Sequence, residues 1–294
     1  MKAGYVAVIG RANAGKSTLV NVLVGEKVAI VSPKPQTTRD RICGVYNGEN
    51  CQIVFVDTPG LYKADNMLNS VMQKTVEDCA EDVDLILFVT DAHDGLTEKD
   101  VSLIKKYASL GIPAVAVLTK TDIMPESLLL SELKQLGDVD AEVVPVSARR
   151  GRNIKELLKV IKDKLPESEK IFDDDVISDR SEKFMISEIM REKILLKFDK
   201  EIPHGVAVIV NRFEKRAGGG IYDIDLDIIC ERQNHKAILI GKGGKALKEV
   251  SSFARADMEK FLGEKVFLTT YVKVEEDWRN SAKLIKAHGY NEDA

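Results

Sequence analysis

Proline and cysteine are both scarce in this chain, and no long apolar run interrupts it. Of 294 residues, 8 are proline, 4 are cysteine and 1 is tryptophan. So little proline, with 20 glycines that follow no period, excludes a collagen-like repeat and a disordered low-complexity chain. Cys43, Cys51, Cys79 and Cys230 form no C-x-x-C pair, and their spacings of 8, 28 and 151 suit neither a zinc site nor a disulfide framework. Free thiols in a reducing compartment are the expectation. No stretch approaches the ~18 apolar residues of a spanning helix, and the opening MKAGYVAVIGRANAG has no apolar run of signal-peptide length before its glycines. Charge of one sign is missing as well. Lys plus Arg number 43 against 47 Asp plus Glu, a net charge of −4. Division at 172/173 leaves 22 basic and 24 acidic residues before it and 21 and 23 after, so each part carries −2. These absences exclude a channel, a secreted mini-protein and a polyelectrolyte, and they predict a cytoplasmic protein.

What is present is a globular composition, 44% hydrophobic and 31% charged, at a length of about two domains. Short apolar runs at 5–9, 52–56, 84–90, 114–118 and 142–146 alternate with helical patterns at 16–24, 68–79, 98–109, 126–135 and 154–164. The runs LILFV and AVAVL are apolar on consecutive residues, as strands covered on both faces are. The alternation predicts a doubly wound, mostly parallel α/β sheet, with 28–46 as a polar excursion and an antiparallel arm. A linker is expected over 167–180, where Asp173, Asp174 and Asp175 oppose both helix and strand. It divides a first domain, 1–166, from a second, 181–294. The second reads α-β-β-α-α-β: an amphipathic helix at 182–198, a strand at 205–214, a triple-glycine turn, a half-exposed strand at 223–230, two helices around GKGG, and a last strand at 266–274.

Gly10-Arg11-Ala12-Asn13-Ala14-Gly15-Lys16-Ser17 fits G-x-x-x-x-G-K-[ST], between a strand and a helical pattern. Glycines let backbone wrap phosphates, and amides at the helix start, through Thr18, add partial positive charge. Lys16 supplies a point charge for the outer phosphates, and Ser17 a hydroxyl ligand for Mg²⁺. Asp57-Thr58-Pro59-Gly60-Leu61 ends an apolar strand. Asp57 suits the magnesium shell there, and the Gly60 amide suits a γ-phosphate. Thr119-Lys120-Thr121-Asp122 ends another strand, where a carboxylate can accept from two guanine N–H groups. Ser147-Ala148 follows the next, with a backbone N–H for guanine O6. These pieces, in this order at strand ends, predict a site for GTP or GDP.

In these motifs the chain resembles the Era-like branch of the translation-factor-related GTPases. The resemblance implies that QTTRD carries the switch threonine, Thr38 by alignment with Thr37 as runner-up, and that Lys16, Thr38 and Gly60 serve catalysis, with Ser17, Thr38 and Asp57 on Mg²⁺. It implies too that Asn13 holds K⁺ beside the phosphates; the alternative is an asparagine that merely tolerates a tight turn. Leu61 occupies the place where a Ras-like Gln orients water, a hydrophobic replacement that the resemblance implies for the whole group, so either switch backbone groups hold the water or another residue moves in. One departure stands out. Thr119 replaces the Asn of Asn-Lys-x-Asp, which predicts a lost contact to the P-loop and the base. His93 and Asp94 could form an acid–base pair, but the reading preferred is a turn after Asp91. An ATPase and a nucleotide-binding RNA module that barely turns over are the rival readings.

Ile240-Gly241-Lys242-Gly243-Gly244-Lys245 resembles the G-x-x-G loop of KH domains, which clamps the backbone of about four nucleotides. Between positions 236 and 260, Lys248 included, six basic residues face three acidic ones, a +3 window in a −2 region. A helix-turn-helix corner with solvated lysines is the structural alternative. With the VKVEEDWRN ending, the resemblance covers nearly the whole chain: an α/β P-loop GTPase domain plus an α+β KH-like domain of type II. It implies binding to single-stranded rRNA at the 3′ end of the small subunit, a part in 30S maturation, and peripheral association with the inner face of the membrane.

Overall fold

The computed structural model describes residues 1–61, 64–93, 97–109, 111–125, 127–128 and 141–290. The expected helix at 126–135 and Asp94 lie largely outside them. Two compact units are present. The first takes in Met1–Ala29, Thr38–Lys63 and Met72–Asp179, and the second Ile30–Thr37, Ala64–Val71 and Arg180–Ala294.

The first unit is built on β1 (Lys2–Ile9), β2 (Ile42–Gly48), β3 (Cys51–Asp57), β4 (Leu85–Asp91), β5 (Ala114–Thr119) and β6 (Glu142–Pro145), in the order β2-β3-β1-β4-β5-β6. β1 runs parallel to β3 and β4, while β2 returns antiparallel on β3, the expected arm. Alternate residues serve opposite cores. Val6, Val8, Phe55, Leu87 and Val117 pack under α1 (Lys16–Val24) and α4 (Ile154–Lys164). Ala7, Ile9, Ile86, Phe88 and Leu118 pack under α3 (Glu98–Ala108) and the 72–81 part of α2 (Met67–Glu81). Two covered faces explain the consecutive apolar residues of these strands.

The stretch expected as a linker behaves otherwise. Up to Asp179 it belongs to the first unit and lies on the sheet. Gln52 is fully buried; its side-chain oxygen accepts from the Ile171 and Phe172 amides at 2.8 and 2.9 Å, and its Nε2 donates to the Phe172 carbonyl at 2.8 Å. Val45 donates its amide to the Ile177 carbonyl at 2.8 Å, and Gly44 bridges Ser178. The acidic stretch therefore covers the unpaired edge of β2, which an exposed edge strand requires. The boundary falls at Asp179, not at 166.

The second unit carries α5 (Glu182–Lys197), β7 (Ala207–Lys215), β8 (Ile221–Cys230), α6 (Gln233–Ile240), α7 (Lys245–Leu262), β9 (Lys265–Val274) and α8 (Ala282–Ala287). The α-β-β-α-α-β order holds. β8 is central, antiparallel to β7 and parallel to β9. Ile186, Ile189 and Ile194 of α5 and Val250, Ala254 and Met258 of α7 close over Ile224, Leu226 and Ile228. The period of two in β8 does not make its other face solvated: Asp223 and Asp227 are buried. Arg216 forks onto Asp223 at 2.6–3.1 Å, and Lys273 reaches Asp227 at 2.5 Å. Cationic partners from neighbouring chain segments shield aspartates that a pattern rule assigns to water. The lone Trp278 is fully buried and donates Nε1–H to the Gly205 carbonyl at 2.9 Å.

Replacing Gln52 with Leu leaves the amides of 171 and 172 without their acceptor. The expected cost is about 2–4 kcal/mol in urea unfolding, with faster amide exchange confined to the 171–179 stretch and its β2 neighbour.

Candidate nucleotide site

Four of the candidate stretches lie at or just past the carboxyl end of a strand: 10–17 after β1, 57–61 at the end of β3, 119–122 at the end of β5 and 147–148 after β6; Thr38 instead precedes β2. The sheet turns opposite ways on the two sides of β1, so the loops diverge there and leave the crevice in which open α/β sheets bind ligands.

The loop after β1 is fitted to its surroundings by its glycines. A Cβ on Gly10 would overlap the Val89 carbonyl oxygen, and one on Gly60 would sit 2.8 Å from Ala12 Cα. Leu61 donates its amide to the Gly10 carbonyl at 3.2 Å, so 60–61 lies directly along the P-loop. Asn13 is exposed at φ 61°, a left-handed turn position. Lys16 is buried, its ammonium donating to the Gly10 and Arg11 carbonyls at 3.1 Å each. Burial lowers its pKa to about 8, with the nearby Asp57 carboxylate opposing the shift.

Ser17, Thr38 and Asp57 come together. Ser17 Oγ donates to Asp57 Oδ2 at 2.7 Å, Thr38 Oγ1 lies 2.8 Å from Ser17 Oγ, and it reaches the same carboxylate oxygen at 3.3 Å. Thr37 instead turns its hydroxyl to the Lys34 carbonyl at 2.6 Å. Asp57 is fully buried and its Oδ1 has no hydrogen-bond partner among the described residues. Burial raises its pKa to about 6, against the pull of Lys16 and the two hydroxyls. An unsatisfied buried carboxylate oxygen beside two hydroxyls is a hard, all-oxygen donor set and fits Mg²⁺.

Thr119 corrects the expectation of a lost P-loop contact. Its hydroxyl lies 2.6 Å from the Ala14 carbonyl and 3.1 Å from that of Thr90. The shorter side chain still ties the loop, because Gly15 brings the backbone close: a Cβ there would lie 3.6 Å from Thr119 Oγ1. Asp122 accepts from the Ser147 hydroxyl at 2.6 Å, which holds its carboxyl below the usual range; Arg150 and Arg149 add to this. Lys120 adopts φ 59° and pairs with Asp91. Asp91 also accepts from the His93 amide at 3.0 Å, so His93 sits in the turn expected for it. Thr121 donates its amide to the Val146 carbonyl at 3.3 Å, and Ala148 accepts from the Gly151 amide at 3.3 Å. Thr58 donates to the Val8 carbonyl at 2.8 Å, a structural tie.

One contact went unread in the sequence. Arg11 pairs with the fully buried Asp100 at 2.7 Å. The capping box of Thr97 and Asp100 at the start of α3 was legible as a motif, but not its proximity to the P-loop.

In the second unit, Gly241, Gly243 and Gly244 have φ of 72°, 60° and 75°. A Cβ on Gly241 would sit 2.7 Å from Ala246 Cβ, whereas Gly243 and Gly244 face open space. Lys242, Lys245 and Lys248 are exposed, while Ile240 packs partly into the core. Gly243 does require a left-handed backbone, so a residue placed there is strained as well as bulky.

Residues 5–120 match the family described as 50S ribosome-binding GTPase, and residues 201–279 the KH domain. GTPase Era of Clostridium kluyveri is 42% identical over 292 residues, 99% of each chain. GTPase Era of Alkaliphilus metalliredigens is 43% identical over 291 residues, 98% of this chain and 99% of its own. The chain belongs to the Era GTPase family. Two solved Era structures share the fold over 99% of both chains. One, an Aquifex aeolicus variant bound to GDP·AlF4⁻, has TM-score 0.93 and 38% identity. The other, Era with MgGDPNP and nucleotides 1506–1542 of 16S ribosomal RNA, has TM-score 0.94 and 39% identity. No helix among the described residues is long and apolar enough to cross a membrane.

Asp57 generates a pH test in protein free of metal and nucleotide. Its pKa is raised from 3.8 to about 6, so the folded state binds the proton more tightly than the unfolded one. The stability this confers is complete below the lower value and is lost as pH rises through the upper one. Asp57→Asn should therefore match the parent at pH 4 and exceed it by about 2 kcal/mol at pH 7.5 in urea unfolding. A variant less stable than the parent at pH 7.5 would contradict this.

Proposed function

We propose that this chain is a GTP-hydrolysing, RNA-binding switch that engages the 3′ end of small-subunit ribosomal RNA and assists maturation of the 30S subunit. The convergence of Ser17, Thr38 and Asp57 beside the P-loop carries the nucleotide half of this reading. The exposed GKGG loop of a KH domain, and the Era complex with MgGDPNP and 16S rRNA, support the RNA half.

The loop 10–18 would cradle the phosphates with its amides, and Lys16 would leave its two carbonyl partners to meet the outer phosphate oxygens. Ser17, Thr38 and Asp57 would hold Mg²⁺, which neutralises charge on the β- and γ-phosphates. Water attacks the γ-phosphorus, the bond to the bridging oxygen breaks, and GDP and phosphate leave. Lys16 and the loop amides stabilise the charge that develops on the bridging oxygen. The Leu61 side chain offers no hydrogen bond to that water, so switch backbone groups would hold it or another residue would move in, and slow intrinsic turnover follows. A K⁺ ion at Asn13 would add positive charge beside the same phosphates; the exposed, left-handed Asn13 suits this role and a plain turn alike. Asp122 would accept from guanine, with Ser147 fixing its orientation. Ordering of 33–41 and of the chain after Gly60 by the γ-phosphate would be the switch. Segments 30–37 and 64–71 flank those residues and belong to the second unit, so coupling need not pass through 167–179. Peripheral association with the inner membrane face belongs to the same reading.

The reading is tested by nucleotide-dependent binding to a panel of short single-stranded RNAs that includes the small-subunit 3′ sequence. Preference for that sequence with GDPNP over GDP is expected; no binding in either state would refute the RNA half. Within the same panel, Lys242→Asp should weaken every RNA alike and reduce the salt slope by about 0.7. It leaves the left-handed Gly243 untouched, so GTP binding and folding should match the parent. Asp122→Asn should weaken GTP and favour xanthosine nucleotides, because the amide reverses the donor pattern. Unchanged GTP affinity would remove Asp122 from the base.

A further inference from the structure

The second unit holds a buried ion pair that none of the steps above employs. Arg191 of α5 is 1% exposed, and Glu188, one turn back, 7%. Arg191 Nε donates to Glu188 Oε1 at 2.7 Å and Nη2 to Oε2 at 2.5 Å. The guanidinium also meets main chain. Nη1 donates to the Gln36 carbonyl at 3.3 Å, and Nη2 to the Thr37 carbonyl. The same helix holds this segment at two further points. Glu192 Oε1 accepts from the Val31 amide at 2.9 Å. The Lys34 ammonium donates to the Phe198 carbonyl, at the carboxyl end of α5, and pairs with Asp199 at 2.8 Å. Desolvating a charged pair is weak grounds for stability. A planar fork that also satisfies two consecutive carbonyls has a geometric task.

We propose that Arg191 is a positioning residue for Thr38. The Thr37 carbonyl and the Thr38 nitrogen share one planar peptide. By holding that carbonyl, Arg191 fixes the plane and thereby the direction in which Thr38 presents its hydroxyl to Ser17 and Asp57. The hydrogen bond of Thr37 to the Lys34 carbonyl closes the turn that brings both carbonyls round to α5. The proposal rests on the reading of Ser17, Thr38 and Asp57 as the Mg²⁺ and GTP site.

The test uses the full chain. Arg191→Lys keeps a charge opposite Glu188 but removes the fork. The double variant Glu188→Leu, Arg191→Met replaces the pair by apolar groups of similar bulk, and serves if the first does not fold. The measurements are affinity for GDP, affinity for GDPNP in Mg²⁺ and in EDTA, and amide hydrogen exchange at 37–39 without nucleotide. GDP affinity should stay within about twofold of the parent, while GDPNP affinity in Mg²⁺ falls about tenfold and that deficit vanishes in EDTA. Exchange at 37–39 should quicken by about tenfold. A folded variant with parental GDPNP affinity and parental exchange overturns the proposal. So does an equal loss for GDP and GDPNP, which marks general damage. A parent that binds GDPNP equally in Mg²⁺ and EDTA overturns the metal-site reading itself, and the proposal with it.

Discussion

The carboxylate of Asp57 is the constraint around which the first unit's site is arranged. It lies fully buried at the end of β3, with one oxygen taking two hydroxyls and the other taking none. An ionised carboxylate in that position is tolerable only with compensating charge, and even with Lys16 and the two hydroxyls its pKa is raised to about 6. A cation would satisfy the oxygen that has no hydrogen-bond partner. Thr38, the residue next to the 30–37 segment of the second unit, places its hydroxyl against the same carboxylate.

The segment before Thr38 packs within the second unit. Residues 30–37 and 64–71 pack with the second unit, although the sequence places them between elements of the first. Within the second unit, Gln36 donates its side-chain amide to Asn69 at 3.0 Å, so the two stretches hold each other. Buried Glu188, Arg191 and Glu192 make the attachment polar and directional, where an apolar contact would allow sliding.

The second unit hides more charge than its pattern announces. Asp223 and Asp227 alternate with Ile224, Leu226 and Ile228, yet forked and ammonium partners bury them. The three glycines of the loop divide their work. Gly241 is pressed against Ala246, while Gly243 and Gly244 leave open space at a left-handed backbone. Open, left-handed glycines beside exposed lysines are what a phosphate backbone can approach.

The sequence by itself determined the order of the strands, the α-β-β-α-α-β succession from 182 to 274, the two covered faces of the sheet and the strand-end placement of 10–17, 57–61, 119–122 and 147–148. All of these follow from local periodicity and from turn chemistry within a few residues, which a linear pattern carries. Only the tertiary structure decided that Thr38, not Thr37, faces Ser17, that Thr119 still ties Ala14, that 167–179 covers a sheet edge, and that Arg191 holds 36–37. The reason is distance along the chain. Thr119 and Ala14 are 105 residues apart, Gln52 and Phe172 120, and Arg191 and Thr37 154. No periodicity encodes which carbonyl a remote donor will meet; only packing brings the two together.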